Sequence, residues 1–237
     1  MPNDYSTIQA AISAVPKYLT KTVYIDISAG TYTEDLSVIG FTGPGSLYIR
    51  GETKEVVTIY GKHRFYNNTA SIYLQSRTTP AADADTLTTP YLKIMGPALS
   101  SGTASLLTID NCSYVSVTNT GFWGVARVNE DVYYTGINAR YGSNVYVSKC
   151  YFRRLYYCAR AQNSTNLGMS SCAGGASAGT AVSTSNYQNN YVIRGDRSSV
   201  YVYGTVPGAA SETIPYKVYG AYGGASSVTT ATAFTVA

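Results

Sequence analysis

Eight times along the chain two apolar residues flank a single intervening residue, and the spacing of these triplets constrains the fold more than any other feature. They are Val23-Tyr24-Ile25, Leu47-Tyr48-Ile49, Ile72-Tyr73-Leu74, Leu92-Lys93-Ile94, Val115-Ser116-Val117, Val145-Tyr146-Val147, Leu167-Gly168-Met169 and Val200-Tyr201-Val202. In extended chain the outer two residues share one face and the middle one points away. Successive triplets start 24, 25, 20, 23, 30, 22 and 33 residues apart. Meanders and sandwiches return about every 8–12 residues. A mean near 25, with Gly, Asn, Ser and Pro between, is the period of a repeat. A coil of that length built of three short strands is the unit of a parallel β-helix. Further strand-like pieces, such as Val57-Thr58-Ile59 and Leu107-Thr108-Ile109, fall between some of the triplets. About eight coils are expected.

Setting Val115, Val145, Leu167 and Val200 in register aligns Val117, Val147, Met169 and Val202 two residues on. Five residues on stand Thr120, Cys150, Cys172 and Thr205, all small, and seven on stand Phe122, Phe152, Gly174 and Pro207. Neighbouring strands lie about 4.8 Å apart, so the interior should fill with ladders of like residues. Cys150 and Cys172 then sit close together inside, where stacked in-register positions suit buried thiols better than disulfide geometry. The spacing assigns no partner to Cys112 or Cys158 and leaves their disulfide state open. With no CxxC pair and a single His63, no zinc set is present.

Composition agrees with this reading. Lys, Arg, Asp and Glu make up only 13% of the chain, replaced by 25 Ser, 28 Thr, 22 Gly and 24 Tyr. Helix formers are scarce while Thr, Tyr and Val abound. No run of 18 apolar residues exists, so no membrane-spanning helix is expected. A net charge of +4 lacks the basic footprint of a nucleic-acid binder; the cluster Arg153, Arg154 and Arg160, interleaved with Tyr151, Tyr156 and Tyr157, reads as a solvated face. One helix is predicted, over residues 6–15, from the capping box Ser6-Thr7-Ile8-Gln9 and the stripe Ile8, Ala11, Ile12, Val15. Laid across the first coil, it would cover an otherwise open sheet edge. The chain thus divides into a capping helix (1–20), β-helix coils (21–203) and a Gly-, Tyr- and Thr-rich coil or tail (204–237).

The segments Tyr5 to Ile12 and Ala29-Gly30-Thr31-Tyr32-Thr33-Glu34, with Gly43 to Gly51, resemble the opening of pectin-lyase-like right-handed β-helices. Pectinesterases, whose first coils carry "TIQAAI" and "GTYxE", are the nearest likeness. The resemblance covers roughly residues 5–60 and implies an all-β, three-sheet, single-stranded right-handed solenoid with a capping helix. Pro16 to Leu19 also resembles β-helix segments of tail and tailspike proteins from phages that infect Gram-positive bacteria.

Function has to be read from a site rather than from the fold. The "QDTL"-like and "DFIFG"-like motifs that carry the pectinesterase aspartates, glutamines and arginine are missing here. Resemblance to pectate lyases would ask for an acidic calcium cluster and a basic arginine. The mid-chain supplies Asp110, Glu130 and Asp131, with Arg127, Arg140, Arg153 and Arg154. Glu130 and Asp131, in the loop Val128–Tyr134, are too few ligands for calcium and read as a solvated turn. Asp131, Glu130 and Arg153 therefore stand only as candidate catalytic residues, and no cofactor or metal is expected.

Five of the eight triplets carry an outward tyrosine: Tyr24, Tyr48, Tyr73, Tyr146 and Tyr201. Three readings apply: a strand former with a wet hydroxyl, an interface between identical subunits, or a platform for sugar rings. Unequal coil lengths leave open which sheet each belongs to. Phe122 and Trp123, in a Gly121–Gly124 loop, read as core and as a further sugar-binding candidate respectively. Arg194-Gly195-Asp196 reads as a Gly turn between strands. These features point to a virion structural protein, a β-helix segment of a homotrimeric tail fibre or tailspike attaching to host-surface carbohydrate. A polysaccharide-degrading or de-esterifying enzyme and a carbohydrate-binding module of a bacterial surface protein are the alternatives.

Overall fold

The computed structural model describes residues 5–51, 56–77, 91–125, 132–174, 191–203, 219–220 and 227–230. They form one short helix and three parallel sheets. The first coil runs β1 (Val23–Ile27), β2 (Gly30–Thr33) and β3 (Ser37–Ile39), and the second β4 (Ser46–Gly51), β5 (Val57–Tyr60) and β6 (His63–Tyr66). The third holds β7 (Ser71–Ser76), β8 (Leu92–Met95) and β9 (Gly102–Asp110). Next come β10 (Val115–Thr118), β11 (Thr120–Trp123) and β12 (Val132–Arg140), then β13 (Asn144–Ser148), β14 (Tyr151–Arg153) and β15 (Tyr157–Gln162). The remaining strands are β16 (Asn166–Ser170), β17 (Ala173–Gly174), β18 (Tyr191–Asp196), β19 (Ser199–Tyr203), β20 (Tyr219–Gly220) and β21 (Ser227–Thr230). As far as β19 every third strand joins the same sheet, and β20 and β21 then extend the third and first: β1-β4-β7-β10-β13-β16-β19-β21, β2-β5-β8-β11-β14-β17 and β3-β6-β9-β12-β15-β18-β20. This is the connectivity of a parallel β-helix, and strands β20 and β21 carry its pairing past residue 203.

The register read from the triplets holds across the first sheet, where Val115, Val145, Leu167 and Val200 are successive partners. It fails at one triplet. Leu92-Lys93-Ile94 lies in the second sheet, paired with Val57-Thr58-Ile59 and with Thr120-Gly121-Phe122. Ile72 pairs directly with Val115, so one coil of 43 residues replaces the expected two of 20 and 23. Seven triplets and β21 supply the eight strands of the first sheet. Period-2 apolar spacing looks the same on every sheet, so it cannot tell which of them a triplet occupies.

Inside, the ladders are apolar. Leu47, Ile72, Val115, Val145, Leu167 and Val200 are fully buried, as are Val57 with Leu92 and Phe122 with Phe152. The last two stack at 5.4 Å between ring centres. All four cysteines are buried free thiols, Cys112 and Cys158 included. Burial pushes the Cys150 and Cys158 thiols well above their usual range. Thr205 and Pro207, placed by the alignment beyond Cys172 and Gly174, lie outside the described residues.

The helix α1 runs Ile8–Ala14 and buries Ile8 and Ile12. Its N-cap is Thr7 rather than Ser6: Thr7 is extended, and its hydroxyl accepts from the Ala10 N–H at 3.0 Å. Gln9 does not reach back. Its amide instead pairs with the Ser37 backbone, accepting from N–H at 2.7 Å and donating to the carbonyl at 3.3 Å. Glu34, in the Gly-Thr-Tyr-Thr-Glu segment, accepts from the Ile8 and Gln9 N–H groups at 3.0 and 2.8 Å. The helix start and the Gly-Thr-Tyr-Thr-Glu segment are thus one hydrogen-bonded unit, in which a distant carboxylate takes the Gln9 N–H that the local box would have given to Ser6.

The corners repeat as faithfully as the strands. Asn119, Lys149 and Ser171 follow successive first-sheet strands, and Asn67, Asn111, Tyr141, Asn163 and Arg197 follow third-sheet strands; all have φ between 49° and 55°. Asparagine tolerates this left-handed geometry better than other side chains. It also stacks: Asn111 Nδ2 donates to Asn67 Oδ1 at 2.8 Å. Exposed Lys149 lacks that tolerance, so Lys149→Asn should raise stability by about 0.5–1 kcal/mol, read from urea unfolding.

His63 is a buried polar side chain, 2% exposed and paired with Leu107 in an otherwise apolar ladder. Its Nδ1 accepts from the Leu36 N–H at 3.2 Å. Burial lowers its pKa from 6.5 to about 4, although the Asp35 carboxylate pulls the other way. The unfolded chain takes up a proton below pH 6.5 that the folded chain refuses until about pH 4. Stability should therefore fall through this window by up to about 3 kcal/mol. Thermal unfolding of the wild type against His63→Gln, which keeps an acceptor for Leu36, should show a flatter pH profile for the variant.

Candidate functional site

The outward row of the first sheet gathers what the sequence left scattered. Tyr24, Tyr48, Tyr73, Ser116, Tyr146, Gly168 and Tyr201 are successive register partners, so all five triplet tyrosines share one face. Parallel pairing at about 4.8 Å leaves adjacent rings little choice but to stack.

The two halves of this row differ. In the N-terminal half the rings satisfy one another: Tyr24 and Tyr48 lie 5.1 Å apart, Tyr48 and Tyr73 stack in parallel at 4.1 Å, and Tyr114 closes the run edge-on at 6.0 Å. Arg50 covers Tyr24 at 4.0 Å while its guanidinium makes two bonds to Asp26, at 2.6 and 2.8 Å. Desolvation among the rings raises the Tyr48 pKa. In the C-terminal half Ser116 and Gly168 interrupt the stack, so Tyr146 and Tyr201 have no tyrosine in register beside them; they are 39% and 37% exposed, against 53% for Tyr24 at the other end of the row. A shallow groove of about 410 Å³ opens there, lined by Tyr114, Asn144, Tyr146, Asn166, Gly168 and Tyr201. Asn144 and Asn166, exposed and mutually in register, flank it. Tyr146 leans across the gap: a β-carbon on Gly168 would lie 3.2 Å from its ring, and its hydroxyl is 2.8 Å from Ser170 Oγ.

The other site candidates lie elsewhere. Trp123 is on strand β11 of the second sheet, not in a loop, beside Met95 and Arg153. Lys93 Nζ lies over its ring at 4.4 Å and the Arg153 guanidinium at 5.8 Å, with Tyr151 edge-on at 6.3 Å. Burial lowers the Lys93 pKa. Phe122 is core. The structure therefore separates Trp123 and Arg153 from the tyrosine row. Glu130 and Asp131 lie outside the described residues, while Val132–Tyr134, expected in the same loop, begins strand β12.

Acids of the third sheet are held by arginines. Asp110, 1% exposed, accepts from Arg140 Nε and Nη2 at 2.7 Å each, with Arg64 at 3.5 Å. Asp196 accepts from Arg160 at 2.8 and 3.0 Å and from Arg194 at 3.0 Å. Arg194-Gly195-Asp196 is the end of strand β18, with Arg194 and Asp196 ion-paired, rather than a Gly turn. Asn144, Asn166 and Gly168 escaped the sequence reading, although the lone glycine in the triplet Leu167-Gly168-Met169 marked the gap.

Removing Arg140 leaves a buried carboxylate short of its main partner. Arg140→Leu should cost about 3 kcal/mol, and Asp110→Asn with Arg140→Leu clearly less than the two singles together. Additive urea-unfolding losses would show that the pair carries no coupling.

Comparison with protein-family models, curated proteins and solved structures finds no match to this chain.

Proposed function

We propose that this chain is a β-helix segment of a phage tail fibre or tailspike, homotrimeric and located in the virion tail, which attaches to host-surface carbohydrate. Its coil is right-handed, the hand that parallel crossovers adopt in nearly every case. Helix α1, anchored by Glu34 and buried through Ile8 and Ile12, serves as the cap of the first coil. The resemblance of residues 5–60 and of Pro16 to Leu19 supports the class of protein.

One observation carries the reading of function: five tyrosines in a single row along one face, ending in an open groove. Aromatic residues with wet hydroxyls suit interfaces and sugar faces alike, since one end is apolar and the other hydrogen-bonds. In this reading the self-stacked half is scaffold and the open half is where the fibre meets its target.

Light scattering should give three times the 25.3 kDa chain mass, and the protein should sediment with Gram-positive cell walls but not with walls whose sugars have been oxidised by periodate. A monomer mass would remove the trimer. New reducing ends or released acyl groups from wall polysaccharide or pectate would replace attachment with the enzyme reading.

A further inference from the structure

The geometry points to the notch at Gly168 as a binding subsite for one neutral pyranose ring of a glycan chain. It takes its biological setting from the attachment role proposed above, while its chemistry stands on the residues themselves.

Tyr146, Gly168 and Tyr201 occupy one level of three adjacent strands. Two strand spacings put the backbones of the tyrosines roughly 10 Å apart, with a side chain missing between them. Tyr146 tilts into part of that space, and a flat ring can lie against it on the side of Tyr201. Tyr146 supplies its floor, held across Gly168 by the contact with Ser170 at 2.8 Å, so no rearrangement is needed before binding. A pyranose presents C–H groups on its faces and hydroxyls around its rim. The faces match the tyrosine rings. The rim matches Asn144 and Asn166, whose amides both donate and accept, as each sugar hydroxyl does.

The lining also selects against charge. Tyr114, Asn144, Tyr146, Asn166, Gly168 and Tyr201 include no cation, and a uronate or phosphate brought against them would lose water without gaining a counter-charge. Adjacent coils rise along the same face, with Ser116 on the β10 side, so a chain of sugars can run on past the notch.

Saturation-transfer NMR with cellotetraose, maltotetraose and chitotetraose as neutral probes, and tetragalacturonate as the anionic one, tests this. At least one neutral tetrasaccharide should receive saturation at its ring C–H protons. Gly168→Tyr, which completes the tyrosine row, and Tyr201→Ser, a surface change that leaves the core alone, should each weaken it tenfold or more. Transfer to none of the three, tetragalacturonate binding as well as the best neutral probe, or unchanged affinity in both variants would overturn the subsite. So would a fall in oligomeric mass on Gly168→Tyr, which would make the notch a contact between copies of the chain. Wild-type protein that sediments with cell walls yet binds none of the tetrasaccharides removes the notch and keeps the attachment role; tetrasaccharide binding without wall binding does the reverse.

Discussion

Parallel pairing in register, about 4.8 Å from one coil to the next, is the constraint from which the rest of this molecule follows. Whatever a residue is, it must live beside the residue one coil away. For Val, Ile, Leu and Phe that neighbour completes a dry ladder, as Phe122 and Phe152 do. For a charged residue it is a cost, because like charges opposite one another repel. The chain's 13% of charged residues reflects this, and where like charges do meet in register, as Arg160 and Arg194 do, both are bonded to Asp196. Asp110 pairs in register with Arg140, and Asp26 with Arg50. Neutral hydroxyls and tyrosine rings fill many of the other outward positions because they tolerate a copy of themselves next door.

The same constraint reaches the corners. A coil can stack on the next only if both turn at the same place, so the left-handed residue after each third-sheet strand recurs at Asn67, Asn111, Tyr141, Asn163 and Arg197. Three of the five are asparagine, the side chain best suited to that backbone, and Asn111 bonds to Asn67 along the stack. Local conformational preference and long-range pairing select the same residues, the kind of agreement that gives one structure a clear energetic lead.

Much of this was legible in the order of residues. The matching patterns that begin at Val115, Val145 and Leu167 declared their register, and from it came the burial of Cys150 and Cys172. What stayed hidden was anything that depends on which sheet a strand joins. Leu92-Lys93-Ile94 has the same local pattern as its neighbours and yet sits a third of a turn away. Once it is moved, the tyrosines fall into a single row that no local pattern could reveal. The start of the helix was hidden for a related reason: Ser6 and Gln9 form a plausible local box, but Glu34, 25 residues past Gln9, offers its carboxylate to the Ile8 and Gln9 N–H groups. Local signals were outcompeted wherever the next coil had something better to offer. Gly168 is the converse, since its meaning as a gap appears only when Tyr146 and Tyr201 are known to stand on either side.

The 43-residue coil between Ile72 and Val115 has a mechanical consequence. A solenoid is nearly one-dimensional, each turn held by its two neighbours alone. Tension along its axis loads one ladder of hydrogen bonds at a time, and turns peel away in order from an end. Releasing the 24-residue turn from Val23 to Leu47 lengthens the chain by roughly 80 Å, and the turn beginning at Ile72 by roughly 145 Å. Under load the molecule would pay out in uneven steps, with its longest stride held in reserve at the third turn.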